Sequence, residues 1–298
     1  MLRMAHRLLS QKNFSVFPGT PQSNHAEIRR ARDMIVKDLS SGIPVVVADN
    51  IADYVAALVE DEKLSFDDLP RVKMPFDNFF IEWKTPATID DANQDFSQFG
   101  AHIYKGDDAF VQSVAKERSD IASVYIGFAY MTVKRTGLVC SSFSFLLCLD
   151  VNGSVLRVPL IGWDGKTESG ERSAEISTIV WTTAFMRSHS SKVLDATETE
   201  GPSPQWCKRQ RVKQVTYKTI LVRGVRGRRK RGERKTEGDR SGKALHIRKG
   251  HFMEFIDDGV SKGLFGKYIF GLFWVEACMV GSEELGQVSH IYDVRVPK

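Results

Sequence analysis

Apolar positions in this chain fall into two patterns, one helical and one alternating or block-like, and the two divide it into elements. Ile28, Ala31, Met34, Ile35 and Leu39 share one face of a helix that begins near His25, with Asn24 as its cap and Gly42 as its stop signal. The opposite face carries Arg29, Arg30, Arg32 and Lys37. Residues 43–48 form a β-branched run that predicts a strand, and residues 51–58 predict a helix packed over it. The aromatic block 76–83, ending Phe79-Phe80-Ile81-Glu82-Trp83, lies among Pro70, Pro75 and Pro86 and predicts a strand.

Residues 121–133, 140–149 and 155–160 predict an antiparallel meander, with turns around Arg135-Thr136-Gly137 and at Asn152-Gly153. The polar stretch 163–172 is the best linker. It divides an N-terminal α+β lobe, 1–165, from a basic C-terminal α+β lobe, 166–298. The second lobe is expected to hold a helix over 174–194 and a four-stranded antiparallel meander at 215–222, 245–256, 267–279 and 288–296. A mobile Gly- and Arg-rich loop, 224–242, interrupts that meander. The expected fold class is α+β, with antiparallel sheets in two lobes.

Composition narrows the class. Of the 298 residues 42% are hydrophobic and 27% charged, which excludes wholesale disorder. Cys140, Cys148, Cys207 and Cys278 have no C-x-x-C spacing, so neither a zinc site nor a disulfide framework is indicated. The apolar run at 143–149 is far too short for a membrane helix. Arg3, His6, Arg7 and Lys12 among Leu2, Leu8 and Leu9 read as a frayed basic terminus or a short first helix. A P-loop, a dinucleotide fingerprint and a serine nucleophile elbow are all missing, and no cofactor is called for.

Charge changes the picture most. Residues 205–250 hold 17 Lys or Arg against 3 Asp or Glu, a net +14, while the rest of the chain holds 25 against 34, a net −9. Such a segment attracts a polyanion and releases its counterions, so nucleic acid is the first partner to consider. Arg226, Arg228, Arg229, Lys230, Arg231, Arg234 and Lys235 would clamp the phosphate backbone, and Lys249, Lys267 and Tyr268 would extend the contact. His246 and Arg248 share a face by alternation, and a bulge at Gly250 would bring His251 to it. Two imidazoles flanking a phosphodiester, with an arginine against its developing charge, suffice for metal-independent RNA cleavage. Tyr292, on one face with His290, could assist proton transfer. A magnesium site from Glu254, Asp257, Asp258 and Glu276 fits less well. Glu82, Trp83 and His102 read as structural.

The run Arg248-Lys249-Gly250-His251-Phe252, then Leu264-Phe265-Gly266-Lys267-Tyr268, Trp274 and a closing Tyr292-x-Val294, resembles a family of bacteriophage and prophage proteins of unknown function. The resemblance covers roughly residues 180–298 and implies a phage context, hence a host cytoplasm, with no mechanism. A helix followed by a four-stranded meander also looks like the small toxin ribonucleases of the barnase and RelE type. The expectation is therefore a nucleic-acid-binding protein, RNA favoured over DNA, with His251, His246, Arg248 and Tyr292 as the residues of any ribonuclease chemistry. The alternative is a non-enzymatic accessory protein whose basic loop occupies an acidic surface of a host protein.

Overall fold

The computed structural model describes residues 2–10, 14–16, 22–60, 69–72, 74–86, 95–116, 118–162, 173–189, 191–222, 244–248, 251–264, 267–275, 278–280 and 282–287. The chain forms two compact units, one of Met1–Arg187 with Val193–Ile220 and one of Ser188–Lys192 with Leu221–Lys298. Residues 173–187 and 193–220, assigned from the sequence to the C-terminal lobe, belong to the first unit, and the expected linker 163–172 lies outside the described residues.

The first unit runs α1 (Met4–Leu9), β1 (Phe14–Ser15), α2 (His25–Ser41), β2 (Val45–Val47), α3 (Asp49–Glu60), β3 (Asn78–Lys84) and β4 (Phe96–Lys105). It continues with α4 (Asp108–Ala115), β5 (Ser123–Val133), β6 (Val139–Leu149), β7 (Val155–Arg157), β8 (Leu160–Gly162) and α5 (Ser173–Arg187). The chain then forms β9 (Ser191–Asp195), α6 (Thr197–Glu200), α7 (Pro204–Gln210) and β10 (Tyr217–Val222). One sheet takes the order β1-β6-β5-β4-β3-β2-β10-β9, with β7 and β8 both on β6.

The sheet is mixed, which corrects the expectation of antiparallel sheets throughout. The expected meander holds for β5, β6 and β7, which pair antiparallel; β4, absent from the expected elements, extends it antiparallel to β3, whereas β2 pairs in parallel with both β3 and β10. β2 is three valines buried on both faces, the character of an interior parallel strand. Residues 215–222, expected in a C-terminal meander, supply β10 beside β2 instead. Burial of Val215, Tyr217 and Ile220 explains the choice, because the large sheet offers these side chains a core.

Helix α2 buries Ile28, Ala31, Ile35 and Leu39 and exposes Arg29, Arg30 and Lys37, as its periodicity predicts. Gly42 ends it at φ 98°, a left-handed conformation that glycine adopts without strain, and its N–H reaches the Asp38 and Leu39 carbonyls. Asn24 occupies the N-cap position without a side-chain cap hydrogen bond. Helix α5 stops at Arg187, short of the expected 194, because Ser188-His189-Ser190-Ser191 are poor helix formers. Helix α1 is no frayed terminus: Met4, Ala5, Leu8 and Leu9 join Ile35, Leu39, Val45, Val47, Phe80 and Tyr217 in one core.

The second unit contains β11 (Ala244–Arg248), β12 (His251–Phe255), β13 (Gly271–Val275), β14 (Cys278–Val280) and β15 (Ser282–Gln287). β12 and β13 form an antiparallel pair, and β11 lies between β14 and β15 in a separate three-stranded sheet. The single strand expected over 245–256 is thus two strands. Residues 224–242 and 288–296 lie outside the described residues. Among the described residues no helix is long and apolar enough to cross a membrane.

Candidate functional site

The structure brings only part of the predicted C-terminal site into view. Arg226, Arg228, Arg229, Lys230, Arg231, Arg234, Lys235, Lys249 and Tyr292 fall outside the described residues. His246 and Arg248 are placed by backbone on β11, opposite Val280 and Cys278, and His251 begins β12 opposite Val275. The residues that join these strands, 249–250 on one side and 276–277 on the other, lie outside the described residues, and with them the bulge expected at Gly250 that would set His251 beside His246 and Arg248.

The β12–β13 pair is held by aromatic contacts on both faces. Phe252 meets Trp274 edge-on at 5.1 Å on one face, and Phe255 meets Phe273 at 6.0 Å on the other. That second face, which carries half-buried His251, also receives His189, stacked 5.2 Å from the Phe273 ring. The His189 N–H and the Ser188 hydroxyl both donate to the Leu272 carbonyl, so the unit's short segment 188–192 is tied to β13. Glu254 faces Leu272 in the register, and Glu276 lies outside the described residues. Lys267 and Tyr268 lie in the connection between the two strands, both exposed.

The densest polar cluster of the first unit was not foreseen. Arg3, only 2% exposed, donates from Nη1 and Nη2 to the two Asp49 carboxylate oxygens at 3.0 and 2.8 Å, and from Nε to Glu200 at 2.8 Å. Glu82 lies 3.7 Å away through Oε1 and accepts the Ala5 N–H at Oε2, 2.9 Å. Lys84, two residues along β3, donates its N–H to Asp49 and holds its Nζ 3.4 Å from the same carboxylate. Burial opposes the Arg3 charge, but hydrogen bonds and attraction from Asp49, Glu82 and Glu200 outweigh it and raise the pKa. Asp49 is likewise opposed by burial, yet Arg3 and Lys84 hold its carboxyl below the usual range. For Glu82 burial prevails over Arg3 and pushes the pKa up to about 7. The cation at the centre of these acids is the chain's own arginine.

Beside it, His6 bridges Tyr217 and Cys207: Nδ1 is 2.6 Å from the Tyr217 oxygen and Nε2 is 3.8 Å from the Cys207 sulfur. Burial lowers His6 to about 4 and raises the Cys207 thiol, so the pair favours neutral imidazole and thiol over a nucleophilic thiolate. His102 is similar. Its Nε2 lies 2.8 Å from Asn78 Oδ1 and 3.2 Å from Asp38, and burial outweighs Asp38 to bring its pKa down to about 4. Both histidines belong to the scaffold.

Two clefts of the first unit carry the wrong sign for a polyanion. One, of about 500 Å³, is lined by Asp77, Asp107 and Asp108 against Lys105. The other, of about 730 Å³, has Asp195 and Glu198 and no cation. Exposed cations of this unit instead gather at the end of α7, where Lys208, Arg209, Arg211 and Lys213 form no ion pair among the described residues. Taken whole, the first unit holds 25 Lys or Arg against 27 Asp or Glu, net −2, and the second holds 17 against 10, net +7. A comparison of the chain with protein-family models, with curated proteins and with solved structures returned no match.

Proposed function

We propose that this chain is a nucleic-acid-binding protein, RNA favoured over DNA, whose principal contact surface belongs to the second compact unit. The observation that carries this reading is the partition of charge, net +7 in the second unit against net −2 in the first. A surplus of Lys and Arg in one folded unit lowers the energy of a phosphate backbone there and gives affinity without sequence preference. The 226–235 cations supply most of that surplus. The exposed α7 cations add a secondary patch in the first unit. Metal-independent cleavage of the bound RNA, with His251, His246, Arg248 and Tyr292 as its residues, is the finer part of this reading and has its own test in EDTA.

Photocrosslinking tests it. The full chain, irradiated with a short labelled RNA and digested, should yield crosslinked peptides mainly from residues 188–192 and 221–298. Crosslinks confined to the first unit, or none from a mixture in which RNA stays unbound, would overturn the assignment. A single host protein recovered in stoichiometric amount from nuclease-treated lysate, with no RNA bound by the pure chain, would favour the accessory-protein reading instead.

A further inference from the structure

The connection between β12 and β13 is ordered by its own backbone. The Leu264 N–H donates to the Ile269 carbonyl at 2.9 Å, Lys267 to Leu264 at 3.1 Å and Tyr268 to Lys262 at 2.7 Å. Asp258 Oδ1 accepts from the Val260 and Ser261 N–H groups at 2.9 and 2.6 Å. Leu264 is the buried side chain among the described residues of this loop, its anchor to the unit. The rest faces outward: Tyr268 is 67% exposed, and Ile256, Val260 and Ile269 are exposed with it.

Tyr268 sits at φ 55°, and Arg211 is the other non-glycine residue with positive φ among those described. A bulky side chain in this region is disfavoured by contact of its Cβ with the backbone. The loop thus holds a strained aromatic residue whose ring covers no core. Lys262, whose carbonyl accepts the Tyr268 N–H, and Lys267, its chain neighbour, are both exposed, and residues 259–275 contain no Asp or Glu.

We infer that Tyr268 is a stacking platform for an unpaired base, with Lys262 and Lys267 meeting the adjoining phosphates, so that the second unit takes single-stranded nucleic acid in preference to duplex. The inference rests on the nucleic-acid-binding reading and narrows it. A phenol ring offers its face to any base, and two flanking cations offer attraction to the backbone on either side. A duplex hides its base faces in the stack and can use only the lysines. Charge favours this occupant at the Tyr268 end of the loop: Lys262 and Lys267 lie there without an acid, Asp257 and Asp258 lie at the start of the connection, and the unit as a whole is net +7.

The test uses the full chain and one labelled sequence of about 20 nucleotides, presented as single-stranded RNA, as single-stranded DNA and as an RNA duplex. Wild type should bind the single strands more tightly than the duplex. Tyr268→Gly should weaken single-strand binding by roughly 5- to 150-fold and leave duplex affinity unchanged, while Tyr268→Phe, which keeps the ring, should bind as wild type does. Glycine accepts φ 55° without strain, so its variant should melt no earlier than wild type and the loss cannot be charged to unfolding. A loss on the RNA arm alone assigns RNA, and a loss on both single-stranded arms assigns the base irrespective of sugar. Equal single-strand affinity of wild type and Tyr268→Gly would overturn the inference and leave nucleic-acid binding standing. Failure of wild type to bind all three would overturn the broader reading as well.

Discussion

Replacing Glu82 by glutamine tests whether a buried acid taxes this fold at neutral pH. Glu82 is 1% exposed, and burial lifts its pKa from 4.5 to about 7 despite Arg3 at 3.7 Å. Below pH 4.5 the carboxyl is protonated in both the folded and the unfolded chain, and no penalty exists. Between 4.5 and 7 the folded chain keeps a proton that the unfolded chain releases, so stability falls as pH rises through that window. The accumulated loss by about pH 8 is on the order of 3 kcal/mol. Glu82→Gln retains an oxygen for the Ala5 N–H and cannot ionise. A fixed offset from its amide cancels when the same pair of proteins is compared at two pH values. Urea unfolding of the full chain at pH about 4.5, 6 and 8 should therefore show the variant gaining about 3 kcal/mol on wild type across the range. A difference that stays constant with pH would refute the argument and show that Glu82 is ionised and favourably paired with Arg3 throughout.

Other perturbations probe separate parts of the account. Arg3→Met leaves Asp49, Glu82 and Glu200 without their central cation and should destabilise the chain by about 3–5 kcal/mol in denaturant titration. Gly127→Ala puts a Cβ 2.0 Å from the Phe145 ring across β5 and β6, and should cost about 1–3 kcal/mol by the same assay. Labelled RNA incubated in EDTA tests the cleavage reading: cleavage by wild type that His251→Ala loses supports it, and RNA left intact by both overturns it.

The sequence disclosed what depends on local periodicity. Helix α2 follows from Ile28, Ala31, Ile35 and Leu39, and β5 and β6 follow from their apolar blocks and the turn between them. It could not disclose which strand lies beside which: a β-branched run at 217–222 reads the same whether it joins a C-terminal meander or runs parallel to β2. That β12 pairs with β13 while β11 lies between β14 and β15 likewise depends on strands far along the chain, which no reading of 245–256 alone contains. Arg3 finds Asp49 and Glu200 at separations of 46 and 197 residues, beyond any local pattern. One signal was available. Glu82 lies between Ile81 and Trp83 and shares a strand face with Phe80, so an acid was entering an apolar layer and needed a cation to meet it.

The most direct measurement of the central claim is the salt dependence of RNA binding by the purified full chain. Fluorescence anisotropy with a labelled single strand, from about 50 to 300 mM monovalent salt, should give log Kd rising linearly with log salt at a slope of about 3 or more, as expected for at least about four phosphate contacts at about 0.7 each. A slope near zero, or no binding at the lowest salt, would contradict the claim that the cations of the second unit hold a nucleic-acid backbone.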